Sequence, residues 1–135
     1  MNIQLTDRLQ KVAQLVEKSG VLCDIGCDHG YLPIYLVQNH MIDFSYACDV
    51  KQGPVDTAEK NIEKYGLSDQ IKTVKSDGLM AANDFGMDVI TICGMGGRLI
   101  AKIIDDSIHT AHSVKKLVLQ PMSEVYYLRK YLSEN

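Results

Sequence analysis

Short apolar runs alternate with longer stretches of helical periodicity along this chain, and that alternation is typical of β-α-β units built around a parallel sheet. The apolar runs predict five strands, at 21–25, 44–48, 71–75, 88–93 and 116–120. Apolar residues spaced three or four positions apart predict the helices around them. These helices cover about 5–16, 32–40, 54–65 and 98–105, and a last one carries Val125, Leu128 and Leu132.

Proline and glycine mark the ends of these elements. Pro54 sits where the first turn of a helix tolerates proline, and Gly66 sits just past the end of the same helix. Pro121 is predicted to break the fifth strand, with Ser123 as the N-cap of the last helix. No apolar run follows that helix. The predicted fold is therefore α/β and Rossmann-like, a mostly parallel sheet with flanking helices and no further strand at the sheet edge.

The composition agrees with one globular domain, which is predicted to span residues 1–135. Its 46% hydrophobic and 23% charged residues exclude a disordered chain. The apolar runs are far shorter than the ~20 residues that span a bilayer, and the N-terminus lacks the features of a signal peptide. We therefore expect a cytoplasmic protein without membrane contact. The net charge of -3 argues against indiscriminate nucleic-acid binding but leaves room for a local basic patch.

Four cysteines fit a reducing compartment, because none belongs to a Cys-x-x-Cys pair. Three lie at the ends of apolar runs, where small buried thiols are common, and Cys27 lies in a loop. A metal site made of Cys27, Asp28 and His29 is the alternative, but adjacent residues rarely converge on one ion. We expect structural thiols and no metal. The four residues are Cys23, Cys27, Cys48 and Cys93.

Residues just after each predicted strand carry most of the candidate chemistry, because ligands of an open parallel sheet bind beyond the carboxyl ends of its strands. The first loop, 24–30, reads Asp-Ile-Gly-Cys-Asp-His-Gly and places Asp28 where a G-x-G-x-x-G phosphate loop has its second glycine. Two carboxylates repel a diphosphate but suit S-adenosylmethionine, which has a sulfonium, an ammonium and one carboxylate. Asp24 is expected to face the ammonium. Gly26 and Gly30 would permit close backbone approach.

Acidic residues also follow the second and third strands. Asp49, 23 residues beyond Gly26, is expected to accept hydrogen bonds from two ribose hydroxyls. Asp77, in the stretch 76–79, is expected to accept one from an adenine amino group. Each acid alone is explained as well by a solvated loop or a cap. Three acids after three successive strands, however, predict an S-adenosylmethionine site.

A glycine-rich stretch, Gly-Met-Gly-Gly at 94–97, follows the fourth strand, where methyltransferases place the reacting group. Enzymes that methylate an exocyclic amine usually carry an Asn/Asp-Pro-Pro-aromatic motif there, and this chain has none. A glycine loop leaves room for a flat base whose ring nitrogen offers only its lone pair. The alternative is a tight turn into the next helix.

Together these stretches resemble the bacterial tRNA (adenine-22-N1)-methyltransferases over nearly the whole chain. The most specific combination is Asp-His-Gly-Tyr-Leu-Pro at 28–33 with Gly-Met-Gly-Gly at 94–97. The other matching stretches are Arg-Leu at 8–9, Asp-Ile-Gly-Cys at 24–27, Asp-Gly-Leu at 77–79, Ile-Cys at 92–93 and Leu-Gln-Pro at 119–121. The resemblance implies a cytoplasmic enzyme with a seven-stranded methyltransferase fold. It implies that S-adenosylmethionine is used to methylate N1 of an adenine in the D-arm region of tRNA.

The resemblance also implies residue roles. Asp28 would stabilise the cationic product ring, and His29 would orient the base or relay a proton. The alternatives are a helix N-cap for Asp28 and a packing or capping role for His29. The candidate catalytic residues are Asp28, His29, Gly94, Met95 and Gly96. The candidate cofactor-binding residues are Asp24, Gly26, Cys27, Gly30, Asp49, Val50, Asp77 and Gly78.

Four cations near the predicted site are candidates for contacts to the RNA backbone or are plain solvated charges; they are Arg8, Lys11, Arg98 and Lys102. Family members continue beyond the position of Asn135 with the remaining strands and a helical, coiled-coil-like domain, so we expect a domain shortened at its C-terminus. Three functions compete with the one implied. They are a methyltransferase for another substrate, a non-catalytic S-adenosylmethionine-binding module, and an NAD-dependent oxidoreductase, which the missing G-x-G-x-x-G motif disfavours.

Overall fold

The computed structural model describes residues 2–135, and their backbone forms a single five-stranded sheet with helices on both faces. The strands are β1 (Val21–Ile25), β2 (Phe44–Asp49), β3 (Ile71–Lys75), β4 (Val89–Gly96) and β5 (Lys116–Ser123). The helices are α1 (Asp7–Leu15), α2 (Tyr31–Gln38), α3 (Gln52–Lys64), α4 (Gly97–Asp106), α5 (Ile108–Ser113) and α6 (Val125–Glu134), with a short 3₁₀ turn at Met80–Ala82.

The sheet is parallel throughout, with strand order β3-β2-β1-β4-β5. The chain moves outward from β1 to β3, then crosses back to place β4 on the other side of β1. The order therefore reverses between β1 and β4, and the strands' carboxyl ends share one edge. Ligands of such sheets bind at this switch point. The predicted α/β, Rossmann-like fold is confirmed.

Successive side chains of β1 point to opposite faces of the sheet and are buried there against the helices. Leu22 packs in the cluster that contains residues of α1, α2 and α3. Cys23 and Ile25 pack in the second cluster, with residues of α4 and with Leu128 of α6. None of the helices in residues 2–135 has the length and hydropathy of a bilayer-crossing segment.

The prediction that Pro121 ends the fifth strand is wrong. Both β4 and β5 continue about three residues further than expected, and Met95 pairs with Pro121 across an irregular register. Proline is tolerated here because β5 is an edge strand and the pairing is bulged, so the missing N–H leaves no central ladder bond unmade. Consequently Ser123 closes β5 and is no N-cap. The N-cap of α6 is Glu124, with φ 54° and no capping side chain.

Two smaller corrections concern the ends of other elements. Asp88, predicted as the first residue of the fourth strand, lies before β4, where its Oδ2 accepts a hydrogen bond from the backbone N of Val21 at 2.9 Å. Helix α5 was not predicted, because its six residues carry too short an apolar pattern to be recognised.

Candidate functional site

A cavity of about 420 Å³ opens at the carboxyl edge of the sheet, beside the switch point between β1 and β4. Its size falls in the range of small-molecule sites. The predicted site residues that line it are Asp24, Gly26, Cys27, Asp28, His29, Asp49, Gly94 and Met95. Those that do not line it are Gly30, Val50, Asp77, Gly78 and Gly96.

The innermost charged group of the cavity is the carboxyl group of Asp24, whose residue is only 4% exposed. Its Oδ1 accepts a hydrogen bond from Thr91 Oγ1 at 2.7 Å, so β4 holds a side chain of β1. Burial raises the pKa of Asp24, the Thr91 hydrogen bond opposes this rise, and the negative charge of Asp49 adds to it, so that the pKa is about 7. A buried carboxylate with this pKa is stabilised most by a cationic ligand.

The backbone of the first loop is pinned to the end of β2. The N–H groups of Gly26 and Cys27 both donate to the carbonyl oxygen of Cys48, each at 2.9 Å. Gly26 has φ 77°, and a Cβ atom there would lie 2.7 Å from Met95 Cε. Only glycine therefore lets this loop lie against the end of β4.

Asp28 and His29 lie at the mouth of the cavity. The Asp28 side chain is 74% exposed, and its Oδ2 is 3.8 Å from His29 Nε2. Asp28 has a left-handed backbone (φ 51°), and the N-cap of α2 is Gly30, so the alternative of Asp28 as an N-cap is wrong. The His29 ring stacks on Tyr31 with centroids 4.9 Å apart and planes 20° apart. That contact agrees with a packing role for His29 and also holds its ring beside the cavity.

Asp49 ends β2 and joins the site to the next helix and strand. Its Oδ1 accepts a hydrogen bond from the N–H of Lys51 at 3.1 Å, and its carbonyl accepts one from Ser76 at 2.9 Å. These contacts fix both its side chain and its backbone at the cavity wall. The neighbouring Val50 is exposed and does not reach the cavity.

The turn after β3 stays apart from the cavity. Ser76 Oγ donates to the carbonyl of Gly78 at 2.7 Å and accepts from Ala81 N at 3.0 Å, which closes a tight turn. Gly78 has φ 57° and packs against Ile103. Asp77 is exposed at the top of this turn. Its role toward an adenine group remains a prediction.

The glycine-rich stretch divides between two functions. Gly94, with φ 77°, and Met95 line the cavity. Gly96 and Gly97 instead pack against the end of β5: a Cβ atom at Gly96 would lie 3.0 Å from Ser123 Oγ, and one at Gly97 would overlap the carbonyl oxygen of Glu124. The alternative of a tight turn therefore describes Gly96 and Gly97, while Gly94 and Met95 keep their candidate catalytic position.

Several cavity residues were missed as site residues, and they are Leu9, Tyr31, Leu32, Lys51, Pro54, Cys93 and Met122. Leu9, Tyr31, Leu32 and Cys93 lie in the matching sequence stretches, which was the available signal. No sequence signal pointed to Met122, because it reaches the cavity only through the unexpected extension of β5.

The four candidate RNA-contacting cations occupy different places. Arg8 lines the cavity, whereas Lys11 lines a separate groove between α1 and β5. Arg98 forms an ion pair with Glu124 and stacks over the Tyr127 ring. Lys102 is 2.6 Å from Asp106, one turn along α4. The latter three lie outside the cavity, so their RNA contacts remain predictions.

All four cysteines are free and buried, as predicted. Burial raises the pKa of the Cys27 thiol strongly and that of Cys93 to about 12, with the negative charge of Asp24 contributing in both cases. The two cavity thiols are therefore protonated at neutral pH and poor nucleophiles. No group of three potential metal ligands converges within residues 2–135.

Comparison with known proteins places these features in context. A family described as "Methyltransferase domain" matches residues 5–135. The chain is 38% identical over 130 residues to the tRNA (adenine(22)-N(1))-methyltransferase of Bacillus subtilis (strain 168), covering 96% of this chain and 55% of that protein.

Two solved structures share the fold closely. A protein in the NADB-Rossmann superfamily from Streptococcus agalactiae superposes with a TM-score of 0.92 at 47% identity, covering 100% of this chain and 60% of that one. TrmK of M. capricolum, in complex with S-adenosyl-homocysteine, superposes with a TM-score of 0.88 at 39% identity, covering 98% and 58%. The chain thus spans 55% to 60% of the length of these relatives.

Proposed function

This chain belongs to the methyltransferase domain family, and we propose that it binds S-adenosylmethionine and directs methyl transfer to N1 of adenine 22 in tRNA. The observation that carries the proposal is the buried Asp24 at the carboxyl end of β1, with Asp49 in the wall of the same cavity. The relatives support the substrate and the cofactor, since the Bacillus subtilis protein is named for this reaction and the M. capricolum protein was solved with S-adenosyl-homocysteine. Action on tRNA would place the protein in the cytoplasm.

The donor set fits the cofactor group by group. Asp24 would hold the ammonium, because a buried carboxylate gains most from a cationic partner. Asp49 would accept hydrogen bonds from the ribose hydroxyls. Gly26 offers bare backbone close to the end of β4. When bound, S-adenosylmethionine supplies an electrophilic methyl group on a sulfonium. We propose that residues 1–135 contain this site as one domain.

The cavity residues would act mainly by alignment, which supplies ~7–11 kcal/mol of a barrier in favourable cases. Gly94 and Met95 would leave a flat face for the base, and the stacked His29 would orient it. No strong base is needed, because adenine N1 carries an exposed lone pair at neutral pH. The ring becomes cationic as the methyl group arrives, and the Asp28 carboxylate would stabilise that charge.

The target adenine must be unpaired before it enters the cavity, because N1 lies on its base-pairing edge. A chain of net charge -3 offers little general attraction to RNA phosphates. We therefore expect recognition to depend on local cations and on the shape of the tRNA.

The decisive experiment incubates the full-length protein with S-adenosylmethionine and an unmodified tRNA transcript, followed by mass spectrometry of the nucleosides. We expect 1-methyladenosine in the wild-type transcript and none in a transcript with guanine at position 22. Equal methylation of both transcripts would show a different target position. Cofactor binding without methylation of any tRNA would favour a methyltransferase for another substrate or a binding module.

Substitution of Asp28 separates chemistry from binding. We expect Asp28→Asn to lower turnover by about 10- to 100-fold while the affinity for S-adenosylhomocysteine stays within about twofold, because the charge develops only in the transition state. Asp69→Asn is the matched control, because Asp69 is exposed and does not line the cavity. Equal losses of turnover and cofactor affinity would make Asp28 a cofactor ligand instead.

A further inference from the structure

A second cavity, of about 440 Å³, lies between α4 and α6 and shares no lining residue with the strand-end cavity. Its lining is aromatic and charged, and it consists of Arg98, Tyr126, Tyr127, Lys130, Tyr131 and Glu134. Three of the seven tyrosines of the chain are thus gathered on one helix beside one groove, which we call the tyrosine groove. None of its residues has a part in the methyl transfer described above.

The tyrosines of this groove are exposed, although aromatic side chains are the ones that gain most from burial. Tyr126 is 80% exposed and Tyr127 is 41% exposed. Tyr131 is held in place, because its Oη donates to Asp105 Oδ1 of α4 at 3.0 Å. Within residues 2–135 most of the Tyr126 surface is left uncovered, so its ring is available to a flat partner.

A cation–π contact orders the wall of the groove beside Tyr126. Arg98 Cζ lies 4.3 Å from the centroid of the Tyr127 ring, and Arg98 Nε donates to the Glu124 carboxylate. Aromatic rings and guanidinium planes are both surfaces on which unpaired nucleobases stack. Because these groups are already held by each other, stacking a base on them costs less conformational entropy than stacking on free side chains would.

Both helices of the tyrosine groove begin where strands of the methyl-transfer cavity end. Met95 and Met122 line that cavity at the ends of β4 and β5. Arg98 follows three residues after Met95, and Tyr126 follows four residues after Met122. An RNA strand with one adenine inside the cavity passes its neighbouring nucleotides across the rim. On the side of β4 and β5, that rim leads into the tyrosine groove.

The charges beside the groove also suit a polyanion. Arg129 and Lys130 are exposed, and neither belongs to the ion pairs formed among residues 2–135. Glu134 opposes them, while the charge of Arg98 is already paired with Glu124. The excess is positive but small, so stacking would carry most of the affinity and Lys130 would add a contact to one phosphate.

We propose that the tyrosine groove binds an unpaired base of the tRNA next to the target adenine. Tyr126 stacks on that base, Arg98 and Tyr127 form the wall beside it, and Lys130 contacts the adjoining phosphate. The inference rests on the proposed function, in which the target adenine leaves its stack to enter the cavity. Its neighbour then loses a stacking partner, and the groove supplies a new one, which offsets part of the cost of extrusion.

The test compares two substitutions of Tyr126 in the full-length protein, with an unmodified tRNA transcript as the probe. Tyr126→Leu keeps an apolar side chain but removes the aromatic face, so the affinity for the transcript should fall by about 5- to 50-fold in fluorescence anisotropy. Tyr126→Phe keeps the face and should stay within about twofold of wild type. Calorimetry should show an unchanged affinity for S-adenosylhomocysteine in both variants, because the groove shares no residue with the cofactor cavity.

The phosphate contact is tested by the salt dependence of the same binding. Lys130→Met should reduce the slope of log affinity against log salt concentration by about one. Lys18→Met is the matched control, because Lys18 is an exposed cation just before β1, at the opposite edge of the sheet. It should leave the slope unchanged. An equal change of slope in both variants would overturn the assignment of Lys130.

A transcript with 5-iodouridine beside the target adenine tests the groove in the wild-type protein, without a substitution. Ultraviolet crosslinks should map to Tyr126 or Tyr127 by mass spectrometry, and crosslinks confined to other residues would overturn the inference. Unchanged tRNA affinity of Tyr126→Leu would also overturn it. If that variant instead unfolds more easily than wild type, the groove is covered by another segment of the same chain. Failure of the wild-type protein to bind or methylate any tRNA would overturn the proposed function as well.

Discussion

The carboxyl edge of the sheet has an acidic half and a neutral half. At the ends of β1 and β2, Asp24 and Asp49 line the cavity, and the loop backbone is pinned to the carbonyl of Cys48. At the ends of β4 and β5 the strands themselves line the cavity only with uncharged residues, among them Gly94, Met95 and Met122, and we call this the neutral half. The one cation beside it, Arg8, comes from α1 and donates to Gln120 of β5. The acidic half suits a cationic ligand. The neutral half leaves apolar surface for a flat group.

The two halves also differ in how their geometry is fixed. The acidic half follows regular strand pairing, with Asp24 opposite Ala47 and Thr91. The neutral half depends on a bulged register between β4 and β5 and on a close approach of Gly97 to Glu124. We therefore expect substitutions in the first half to change ligand affinity, with an effect on stability where the acid is buried, as Asp24 is. Substitutions in the second half should change stability through packing.

The largest effect is expected at Asp24, because its carboxylate is both buried and proposed to bind a cation. Asp24→Asn should weaken S-adenosylhomocysteine binding by about 3 kcal/mol or more at pH 8, since an ion pair is lost while the Thr91 hydrogen bond can persist. Wild-type affinity should fall as the pH drops below about 7, where the carboxyl group protonates, and the variant should lack this dependence. Calorimetry across this pH range is the measurement.

The same substitution, Asp24→Asn, should weaken ligand binding but stabilise the ligand-free protein against unfolding. The pKa of Asp24 is raised from 3.8 to about 7 on folding, so ionisation costs stability. The cost is absent below pH 4, grows as the pH rises, and reaches on the order of 4 kcal/mol above pH 7. Urea unfolding should show Asp24→Asn equal to wild type near pH 4 and more stable at pH 8. A constant difference across that range would exclude a raised pKa.

The next largest effect is expected at Gly97 in the neutral half, where a substitution should lower stability through packing. A Cβ atom there would overlap the Glu124 carbonyl oxygen and lie 2.9 Å from its carbonyl carbon, and backbone cannot move aside as a side chain can. Gly97→Ala should lower the free energy of unfolding by about 1–3 kcal/mol. Gly86→Ala is the control, because a Cβ atom there meets nothing within 4 Å. Equal stability of the two variants would show that the β4–α4 junction adapts freely.

An effect of similar size, but confined to ligand binding, is expected at Asp49. Asp49→Ala should weaken S-adenosylhomocysteine binding by about 1.5–3 kcal/mol, because charge-assisted hydrogen bonds to the ribose are lost. Unfolding should change little, since β2 keeps its backbone pairing. Asp69→Ala, at an exposed turn, is the control in calorimetry. An unchanged dissociation constant would remove Asp49 from the cofactor site.

The acidic half could be predicted from sequence because its signals are local. Strands β1 and β3 have the predicted bounds, and Asp24 and Asp49 stand at strand ends that apolar runs define. The neutral half could not be predicted in this way. In the local sequence Pro121 predicts the end of a strand, and only the strand order, which puts β5 at the edge of the sheet, shows that proline is tolerated there. Arg8 and Gln120 lie 112 residues apart in sequence, and only the topology brings them together.

The smallest effect is expected at Asp77. It was predicted as a site residue because it follows a strand, as Asp49 does, but it is exposed and does not line the cavity. A single hydrogen bond to an adenine amino group, open to water, contributes about 0.5–1.5 kcal/mol. Asp77→Ala should therefore weaken S-adenosylhomocysteine binding less than Asp49→Ala does. The inosine analogue of the ligand lacks that amino group, so its affinity should be the same in wild type and variant. A loss as large as that of Asp49→Ala would mean that the turn after β3 closes over the ligand and that the acidic half extends to a third strand. Equal losses for both ligands would instead show that the Asp77 side chain stabilises the turn and does not contact the adenine amino group.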